Sequence, residues 1–235
     1  MKQGVLAATG LSSSIGQALL KRLPADMPVV SLGRTASDDP RVVHFFADFR
    51  RPASEWRVPL TTYLAEHDCR VAGFIHLAGL VFSDVSESTR AGEWDDMLGV
   101  NLGAAFFVGQ ALSPFWSAGA AVVLMGSVDA YKASSDGPAA AYGAAKAGLV
   151  GLMRHWAAEW GPRGVRVNGI GLGAMETALG PASAGVAASV AGRTALRRLA
   201  RAEEAAAVVQ FLLSDDASYI TGAWIPVDGG LNLSY

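Results

Sequence analysis

Residues 5–23 read VLAATGLSSSIGQALLKRL: a short apolar run, a turn of small residues, and apolar residues at helical spacing. In the last part, Ile15, Leu19 and Leu23 share one face of a helix, and Pro24 ends it. A strand, a tight turn and a helix in this order are typical of the first half of a βαβ unit. This stretch therefore predicts an α/β fold.

The same alternation continues along the whole chain. Further apolar runs cover residues 28–32, 42–47, 72–77, 120–125, 166–172 and 223–227, and the first run covers 4–8. Helical spacing covers Ile15–Leu23, Glu93–Leu112, Ala140–Trp160 and Ala202–Ser214. Right-handed crossovers then predict one domain over residues 1–235, with a doubly wound parallel sheet of about seven strands and helices on both faces.

One connection does not fit this pattern. Between the second and third runs, residues 35–40 read TASDDP, which is too short for a helix, whereas a parallel crossover usually needs about a dozen residues. Either a compressed turn replaces the helix, or the two strands are displaced by a few residues. We expect the compressed turn.

The bulk composition excludes several classes of protein. Charged residues make up 17% of the 235 residues and the mean hydropathy is positive, yet we see no apolar run of the ~18 residues that a membrane span needs. A net charge of −2 favours neither nucleic acid nor an anionic membrane as a partner. Met1 and Lys2 lead directly into the first strand, so no targeting segment is expected.

The cysteine and histidine content points to a metal-free cytoplasmic protein. Cys69 is the only cysteine, so the chain forms no internal disulfide, and a reducing cytoplasm is the expected compartment. The four histidines lack metal-ligand spacing, and we predict no metal site. They are His44, His67, His76 and His155.

The turn after the first strand has the features of a phosphate-binding corner. Gly10 permits a tight turn and Gly16 permits close packing of the helix on the strand, so backbone N–H groups and the positive helix end can face a pyrophosphate. The literal G-x-G-x-x-G pattern is absent, because Ser14 stands where a further glycine would ease cofactor approach. A merely tight strand–helix turn is the alternative interpretation.

The end of the second strand indicates the type of dinucleotide. An acidic residue here is typical of a free ribose 2′-hydroxyl, whereas arginine suits a 2′-phosphate. The sequence has Gly33-Arg34, which favours NADP, with NAD possible. Asp38 and Asp39 follow as turn formers, although a carboxylate there would weaken that preference.

Several motifs occur together in one order along the chain. They are T-G-x-x-x-x-x-G at 9–16, Asp48, HLAG at 76–79, VNLGAAFF around Asn101, MGSV with Ser127, Tyr142-x-x-x-Lys146, RVNGIGLGAMET at 166–177 and ASYITGAWIPVDGG at 217–230. Together they resemble the short-chain dehydrogenase/reductases, in the compact branch that includes 3-oxoacyl-(acyl-carrier-protein) reductases. The resemblance implies a Rossmann-type fold and NAD(P)-dependent interconversion of a small-molecule ketone and a secondary alcohol.

The resemblance also implies four catalytic residues. Tyr142 and Lys146 are one helical turn apart; Tyr142 would exchange a proton with the substrate, and Lys146 would lower the phenol's pKa and bind the nicotinamide ribose. Ser127 would hold the substrate oxygen. Asn101 would anchor a water that relays protons from Lys146 to solvent.

Cofactor contacts follow from the same resemblance. The pyrophosphate would lie on the turn, the 2′-phosphate on Arg34, the adenine on Asp48 and the backbone of Phe49, and the adenine-side ribose on Ala78 and Gly79. The turn residues are Gly10, Ser12, Ser13, Ser14, Ile15 and Gly16. The nicotinamide carboxamide would be fixed by Gly173, Met175 and Thr177.

The chain departs from the family pattern in three places. His76 and Leu77 replace two asparagines, and we expect His76 to be a packed end-of-strand residue. Leu172 stands where the family has proline. Tyr142 follows Ser127 by fifteen residues rather than thirteen, so residues 129–138 are expected to bulge beside the substrate mouth and shape specificity, or else to displace Ser127. Within them, Tyr131 and Lys132 are surface residues or substrate contacts.

Residues 178–198 correspond to the family's substrate lid. Their Ala, Gly and Ser content leaves little to hold them rigid without ligand, which suits a loop that closes on binding. Arg193, Arg197 and Arg198 either meet an anionic substrate, such as an acyl-carrier thioester, or are solvated.

The apolar surface of the helix predicted over Ala140–Trp160 favours assembly. The family expectation is a homotetramer with dihedral symmetry, with a dimer as the smaller alternative. Two rival functions remain at this point: a catalytically silent nucleotide sensor or scaffold protein, and a sugar-nucleotide epimerase or dehydratase, which normally has a larger substrate domain than this chain offers.

Overall fold

A seven-stranded parallel sheet forms the centre of the computed structural model, which describes residues 4–82, 85–133, 139–176 and 183–233. In chain order the strands are β1 (Val5–Thr9), β2 (Val29–Gly33), β3 (Val42–Phe46), β4 (Val71–His76), β5 (Trp116–Ser127), β6 (Arg166–Leu172) and β7 (Trp224–Val227). Their order across the sheet is β3-β2-β1-β4-β5-β6-β7. The predicted doubly wound α/β fold is confirmed.

Seven α-helices are described around this sheet. They are α1 (Ser14–Leu20), α2 (Ser54–Glu66), α3 (Ala91–Leu98), α4 (Ala104–Leu112), α5 (Ala140–Trp160), α6 (Ala184–Arg193) and α7 (Ala202–Leu213). A π-helical turn, Gly99–Gly103, joins α3 to α4.

The sheet is buried on both faces because its residues alternate between two apolar cores. Val5 and Ala7 of β1 point into the core beneath α2, α4 and α5, whereas Leu6 and Ala8 point into the core beneath α1 and α7. Successive strand residues face opposite sides, so a strand covered on both sides must be apolar throughout. This explains the uninterrupted apolar runs in the sequence.

The short link between β2 and β3 is a compressed turn, as expected. The two strands pair in parallel from Val29 with Val42 to Gly33 with Phe46. Arg41 closes the link: its guanidinium donates to the backbone oxygen of Leu20 at 2.8 Å, at the end of α1, and pairs with Asp39 at 2.6 Å. The positive charge of Arg41 thus satisfies a backbone carbonyl at the end of α1 and ties the short link to that helix.

One helix assigned from the sequence is corrected, and one further helix is found. α2 was not indicated, because Pro59 interrupts the pattern, yet Trp56, Leu60 and Leu64 bury one face of it. The single helix expected over Glu93–Leu112 is instead three segments, with the π turn in the middle.

One helical stretch reaches membrane length, although the sequence has no unbroken apolar run of that length. By length and composition, the continuous helical stretch Ala91–Phe115 is apolar enough to cross a membrane. In the structure Ala105, Val108 and Leu112 of this stretch are fully buried in the core under the sheet. Packing in this core therefore accounts for one face of the stretch.

Candidate active site

The carboxyl ends of the central strands meet at one edge of the sheet. The strand order runs outward in both directions from the pair β1 and β4, which makes this pair the switch point of the sheet. Open α/β sheets bind ligands at such a point, because the loops that leave neighbouring strands diverge there. Gly10 and Ala78 follow these two strands, and Ser127 ends β5 beside them.

The turn after β1 is a cradle without room for side chains. Gly10 has a φ of +65°, and a Cβ there would lie 2.7 Å from the backbone nitrogen of Ala78. A Cβ on Gly16 would lie 2.2 Å from the backbone oxygen of Leu11. The Ser13 hydroxyl caps α1 by accepting a hydrogen bond from Gly16 N at 3.2 Å. These residues fit the close backbone approach that a dinucleotide pyrophosphate requires.

The other turn residues are placed consistently with this role. Ser12 and Ser14 are exposed, and Ile15 is half-buried in the first turn of α1. Their predicted contacts with a pyrophosphate remain predictions.

The adenine-side residues lie beyond the ends of β2 and β3. Arg34 is exposed directly after β2. Asp48 accepts hydrogen bonds from the Arg50 side chain, which are the main reason that the pKa of the Asp48 carboxyl is lowered to about 2, and the charge of Arg34 makes a smaller contribution. Phe49 packs edge-on against Trp56, with ring centroids 5.8 Å apart. Arg34 is therefore near Asp48 and accessible to an anion.

Asn101 lies in the π turn and is fully buried. Its Nδ2 donates to the backbone oxygens of Leu80 at 2.7 Å and Met97 at 3.0 Å, and its Oδ1 accepts from Leu80 N at 3.2 Å. A π turn adds one residue to a helical turn, which displaces the chain locally. Here the displaced residue ties α3 to the loop after β4.

His76 connects the π turn to the glycine-rich turn. Its Nε2 lies 3.2 Å from the backbone oxygen of Asn101, and its Nδ1 lies 2.9 Å from Oγ1 of Thr9. The Thr9 hydroxyl in turn accepts from Ala78 N at 3.2 Å. Burial, with a smaller effect of the Lys146 charge, lowers the pKa of His76 to about 3, so the ring is neutral at neutral pH. The expected packed end-of-strand position of His76 is confirmed.

Tyr142, Lys146 and Ser127 are brought together. Tyr142 and Lys146 project from adjacent turns of α5, and Lys146 Nζ lies 5.4 Å from the centroid of the Tyr142 ring. Lys146 donates to the backbone oxygen of Met125 at 3.0 Å. The Tyr142 hydroxyl is hydrogen-bonded to the Ser127 side chain. The longer spacing between Ser127 and Tyr142 therefore has not displaced Ser127.

The expectation that Lys146 acidifies Tyr142 is wrong for this structure. Desolvation by burial raises the pKa of Tyr142 to about 12, and the charge of Asp129 adds to the increase, against the opposing hydrogen bond to Ser127. Burial also lowers the pKa of Lys146 to about 8, partly offset by Asp129. The ammonium is directed at the Met125 carbonyl rather than at the phenol oxygen, so desolvation outweighs its attraction.

Asp129 is a site residue that the sequence reasoning missed. Its Oδ2 accepts a hydrogen bond from Ser127 Oγ at 2.6 Å, and its backbone nitrogen donates to the same Oγ at 3.2 Å. A serine followed two residues later by an aspartate is a turn-forming pattern. This pattern could have indicated from the sequence that Asp129 contacts Ser127.

The nicotinamide-side residues are only partly described. Gly173 packs so closely on the C-terminal segment that a Cβ would lie 2.7 Å from the Cα of Asp228. Met175 is buried and bridges to Ala200. Thr177, and the lid as far as residue 182, lie outside the described residues.

The described part of the lid is more ordered than expected. Ser183 caps α6 by accepting from Val186 N at 3.3 Å, so a helix replaces the expected loop. Arg198 pairs with Glu204 at 2.7 Å, and Arg197 donates to the backbone oxygen of Gly192. Both side chains are exposed but hydrogen-bonded to other groups of this chain, which favours the alternative of solvated arginines over contact with an anionic substrate.

The segment after Ser127 is anchored as far as it is described. Lys132 donates to the backbone oxygen of Leu231 at 3.0 Å. The Tyr131 hydroxyl approaches the strand at Gly171 and the indole of Trp224. Residues 134–138 of the predicted bulge lie outside the described residues. Within the described ranges, no cluster of three His, Cys, Asp or Glu is placed to hold a metal ion.

Several known proteins are similar to this chain over most of its length. Residues 59–232 match a family model described as enoyl-(acyl carrier protein) reductase. The chain is 31% identical over 256 residues to levodione reductase of Leifsonia aquatica, an alignment that covers 98% of this chain and 95% of that protein. It is 32% identical over 166 residues to 3-oxoacyl-(acyl-carrier-protein) reductase FabG of Thermotoga maritima, covering 69% of this chain and 66% of that protein.

The fold matches solved structures equally well. A short-chain dehydrogenase from Burkholderia cenocepacia, solved in complex with NADP, superposes with a TM-score of 0.86 at 26% identity, covering 97% of this chain and 98% of that one. The motif order, the sheet topology and these similarities agree. The chain therefore belongs to the short-chain dehydrogenase/reductase family of NAD(P)-dependent oxidoreductases.

Proposed function

We propose that this protein reduces a small-molecule ketone to a secondary alcohol, with Tyr142 as the proton donor and NADPH as the preferred cofactor. The observation that carries the proposal is the cluster of Ser127, Tyr142 and Lys146 at the carboxyl edge of the sheet, beside the Gly10 cradle. A substrate carbonyl placed against the phenol takes its proton as the carbonyl carbon is reduced. Asn101 supports this site by fixing the loop after β4.

The proton state of Tyr142 favours the direction of reduction. With its pKa raised to about 12, mainly by burial, the phenol keeps its proton at neutral pH and is ready to act as an acid. Oxidation of an alcohol needs the phenolate, which is scarce at that pH. Lys146 places positive charge 5.4 Å from the centroid of the Tyr142 ring, whose oxygen becomes negative as it gives up its proton.

The cofactor-binding residues follow from the cradle. NADPH, when bound, supplies the hydride. The turn from Gly10 to Gly16 holds the pyrophosphate, and Arg34 holds the 2′-phosphate, for which its exposed position after β2 is suited. The remaining contacts are proposed as Asp48 and Phe49 for adenine, Ala78 and Gly79 for the adjacent ribose, Gly173, Met175 and Thr177 for the carboxamide, and Lys146 for the nicotinamide ribose. NAD is the alternative cofactor.

We assign the whole chain to one dinucleotide-binding and catalytic domain, with residues 178–198 as the substrate lid. The single sheet with both cores closed around it supports this assignment. A cytoplasmic location is consistent with the half-buried free thiol of Cys69, because a reducing compartment preserves it.

We also propose a homotetramer, with a dimer as the smaller alternative. On the outer surface of α4, Phe106 and Phe107 are 40% and 43% exposed, and Phe106 stacks on Trp156 of α5. Exposed aromatic pairs of this kind favour burial against a second copy. Sedimentation of the wild type and of Phe107→Glu tests this: a smaller species in the variant is expected, and equal masses contradict it.

The function is tested by NADPH and NADH oxidation against a panel of ketones that includes a 3-oxoacyl thioester. We expect turnover with NADPH and at least a hundredfold loss, roughly, in Tyr142→Phe. Undiminished activity in that variant contradicts the mechanism. Tight NADPH binding without turnover on any carbonyl instead supports a silent sensor protein.

The cofactor preference is tested separately by Arg34→Ala. We expect weaker NADPH binding with NADH binding unchanged, measured by fluorescence titration of the reduced cofactors. Tighter binding of NADH than of NADPH by the wild type, with no effect of the substitution, contradicts the preference.

A further inference from the structure

Two acids flank β3, and each is held by an arginine two residues further along the chain. Asp39 accepts hydrogen bonds from the N, Nε and Nη2 atoms of Arg41 at 3.0, 2.9 and 2.6 Å. Asp48 accepts from the same three atoms of Arg50 at 3.2, 2.9 and 2.6 Å. A guanidinium that binds a carboxylate through two parallel hydrogen bonds makes a strong and geometrically specific pair. Both carboxylates are therefore already paired within the chain.

The two pairs lie at opposite edges of the sheet. Arg41 precedes β3, and its backbone oxygen accepts from the first residue of β2 at 2.9 Å. Arg34 follows the end of β2, so the length of that strand, about 16 Å, separates it from the Asp39–Arg41 pair. Asp48 and Arg50 instead follow the end of β3, which pairs in parallel with β2. Of the two acids, Asp48 is therefore the one at the same edge as Arg34.

Arg34 is the cation that Asp48 would attract in the absence of Arg50. In the described part of the chain, no hydrogen bond or ion pair holds the exposed Arg34 guanidinium, although its charge acts on Asp48. The Asp48 side chain is 14% exposed, against 44% for Arg50, so water screens the carboxylate weakly. A weakly screened carboxylate that loses its own arginine is expected to pair with the next cation, which is Arg34.

We infer that Arg50 is a positioning residue for cofactor selection, because it occupies Asp48 and thereby leaves the Arg34 guanidinium available to a 2′-phosphate. The inference rests on the proposed function, in which Arg34 holds that phosphate. Without Arg50, Arg34 turns to Asp48, and the charge of Asp48 also repels the phosphate. Both effects weaken the binding of NADPH. NADH has a hydroxyl group in place of the phosphate, so its binding is nearly unaffected.

The neighbouring arginine in the sequence provides a matched control. Arg51 lies next to Arg50 and carries the same charge, but its partner is Glu55 of α2, at 3.7 Å, and its side chain is 64% exposed. Arg50, in contrast, is attracted to Asp96 of α3 as well as to Asp48. A general effect of removing one positive charge from this region is therefore the same for both arginines, whereas an effect through Asp48 belongs to Arg50.

Cofactor binding tests the inference directly. Dissociation constants of NADPH and NADH are measured by fluorescence titration for the wild type, Arg50→Ala and Arg51→Ala. We expect Arg50→Ala to weaken NADPH binding about tenfold relative to NADH binding. Arg51→Ala is expected to leave the ratio of the two constants nearly unchanged. An unchanged ratio in Arg50→Ala, or an equal change in both variants, overturns the inference.

A double-mutant cycle tests whether Arg50 acts through Asp48. Asp48→Asn keeps the size of the side chain and removes its charge, so that Arg34 no longer has a competing partner. Any loss of adenine contact is common to both cofactors and cancels in the ratio of their dissociation constants. In this background Arg50→Ala is expected to leave the ratio unchanged. The same loss of NADPH preference in both backgrounds would mean that Arg50 contacts the phosphate itself, and overturns the inference.

A measurement without cofactor separates the inference from the function on which it rests. The pKa of the Asp48 carboxyl is followed by ¹³C NMR, with the signal identified by its absence in Asp48→Asn. In Arg50→Ala this pKa is expected to rise but to stay below the ordinary carboxyl value, because Arg34 becomes the partner. The further substitution Arg34→Ala is expected to raise it to the ordinary value.

The two results have different consequences. An Asp48 pKa that is the same in Arg50→Ala and in the Arg34→Ala/Arg50→Ala double variant overturns the inference. Tighter binding of NADH than of NADPH by the wild type contradicts the proposed cofactor preference, and the carboxyl titration still decides whether Arg34 replaces Arg50. Thermal unfolding identifies any misfolded variant, and Arg50→Met, with the same expected results, takes the place of Arg50→Ala if the latter is misfolded.

Discussion

The imidazole of His76 joins the ends of two chain segments, because its Nε2 donates to the backbone oxygen of Asn101 at 3.2 Å. A carbonyl oxygen can only accept, so Nε2 carries the ring hydrogen of the neutral imidazole and Nδ1 accepts from Thr9. His76, which replaces the family's asparagine at this position, thus makes a hydrogen bond with each of its ring nitrogens. A continuous series of hydrogen bonds through His76 therefore connects the glycine-rich turn to the π turn.

Replacement of His76 by leucine is expected to destabilise the protein by about 1–3 kcal/mol. The substitution leaves the buried Thr9 hydroxyl and Asn101 carbonyl without their partner, and unsatisfied buried polar groups are costly. Urea unfolding measures the difference. His155→Leu, at an exposed histidine of α5, is the matched control. Equal stability of the two variants contradicts the role assigned to His76.

His76 is also expected to contribute to acid sensitivity. Its pKa is about 3 in the folded protein, against 6.5 without the fold, so the unfolded chain binds a proton more readily between these values. The contribution of neutral His76 to the free energy of unfolding is complete above pH 6.5 and is lost as the pH falls toward 3. The free energy of unfolding falls there by up to about 1.4 kcal/mol per pH unit. Unfolding free energies of the wild type and His76→Gln across this window test the slope. Parallel curves would show that His76 does not contribute.

Reduction of a ketone is expected to decline as the pH rises through about 8. Lys146 has a pKa lowered to about 8 by burial and loses its charge there, whereas Tyr142, with a pKa of about 12, keeps its proton. The decline in kcat/KM therefore reports Lys146 and not Tyr142. Lys146→Arg, which stays charged, is expected to flatten this limb in whatever activity it retains. A wild-type profile that is level up to pH 10 argues against the assignment.

Gly79→Ala is expected to fold normally and to lose roughly tenfold to a hundredfold in turnover. A Cβ at this position would lie 3.4 Å from Asn101 Oδ1 and 3.8 Å from Lys146 Nζ, distances of ordinary contact, so packing tolerates it. It would nevertheless occupy the gap between the two side chains, where a water that relays protons would sit. Gly92→Ala, whose Cβ meets open space, is the control. Full activity in Gly79→Ala excludes a relay through that gap.

The features that depend on local spacing were predictable from the sequence. α5 runs from Ala140 to Trp160 as predicted, and Tyr142 and Lys146 share one face of it because 3.6 residues complete each helical turn. The alternation of strands and helices likewise predicted the sheet. The short link before β3 was predicted as a turn, although the contact of Arg41 with the end of α1 was not.

Other features depend on residues that are distant in the sequence. The π turn that carries Asn101 has no signature of its own, and it is stabilised by contacts to Leu80 and His76 on a different segment. The pKa of Tyr142 was predicted to be lowered, whereas it is raised in the structure. The sequence shows the neighbouring cation, but it does not show that burial removes water from around the phenol. The sequence alone thus determined which groups are neighbours along each element. The tertiary structure decided their burial, and with it their charge, since desolvation depends on everything packed around a group.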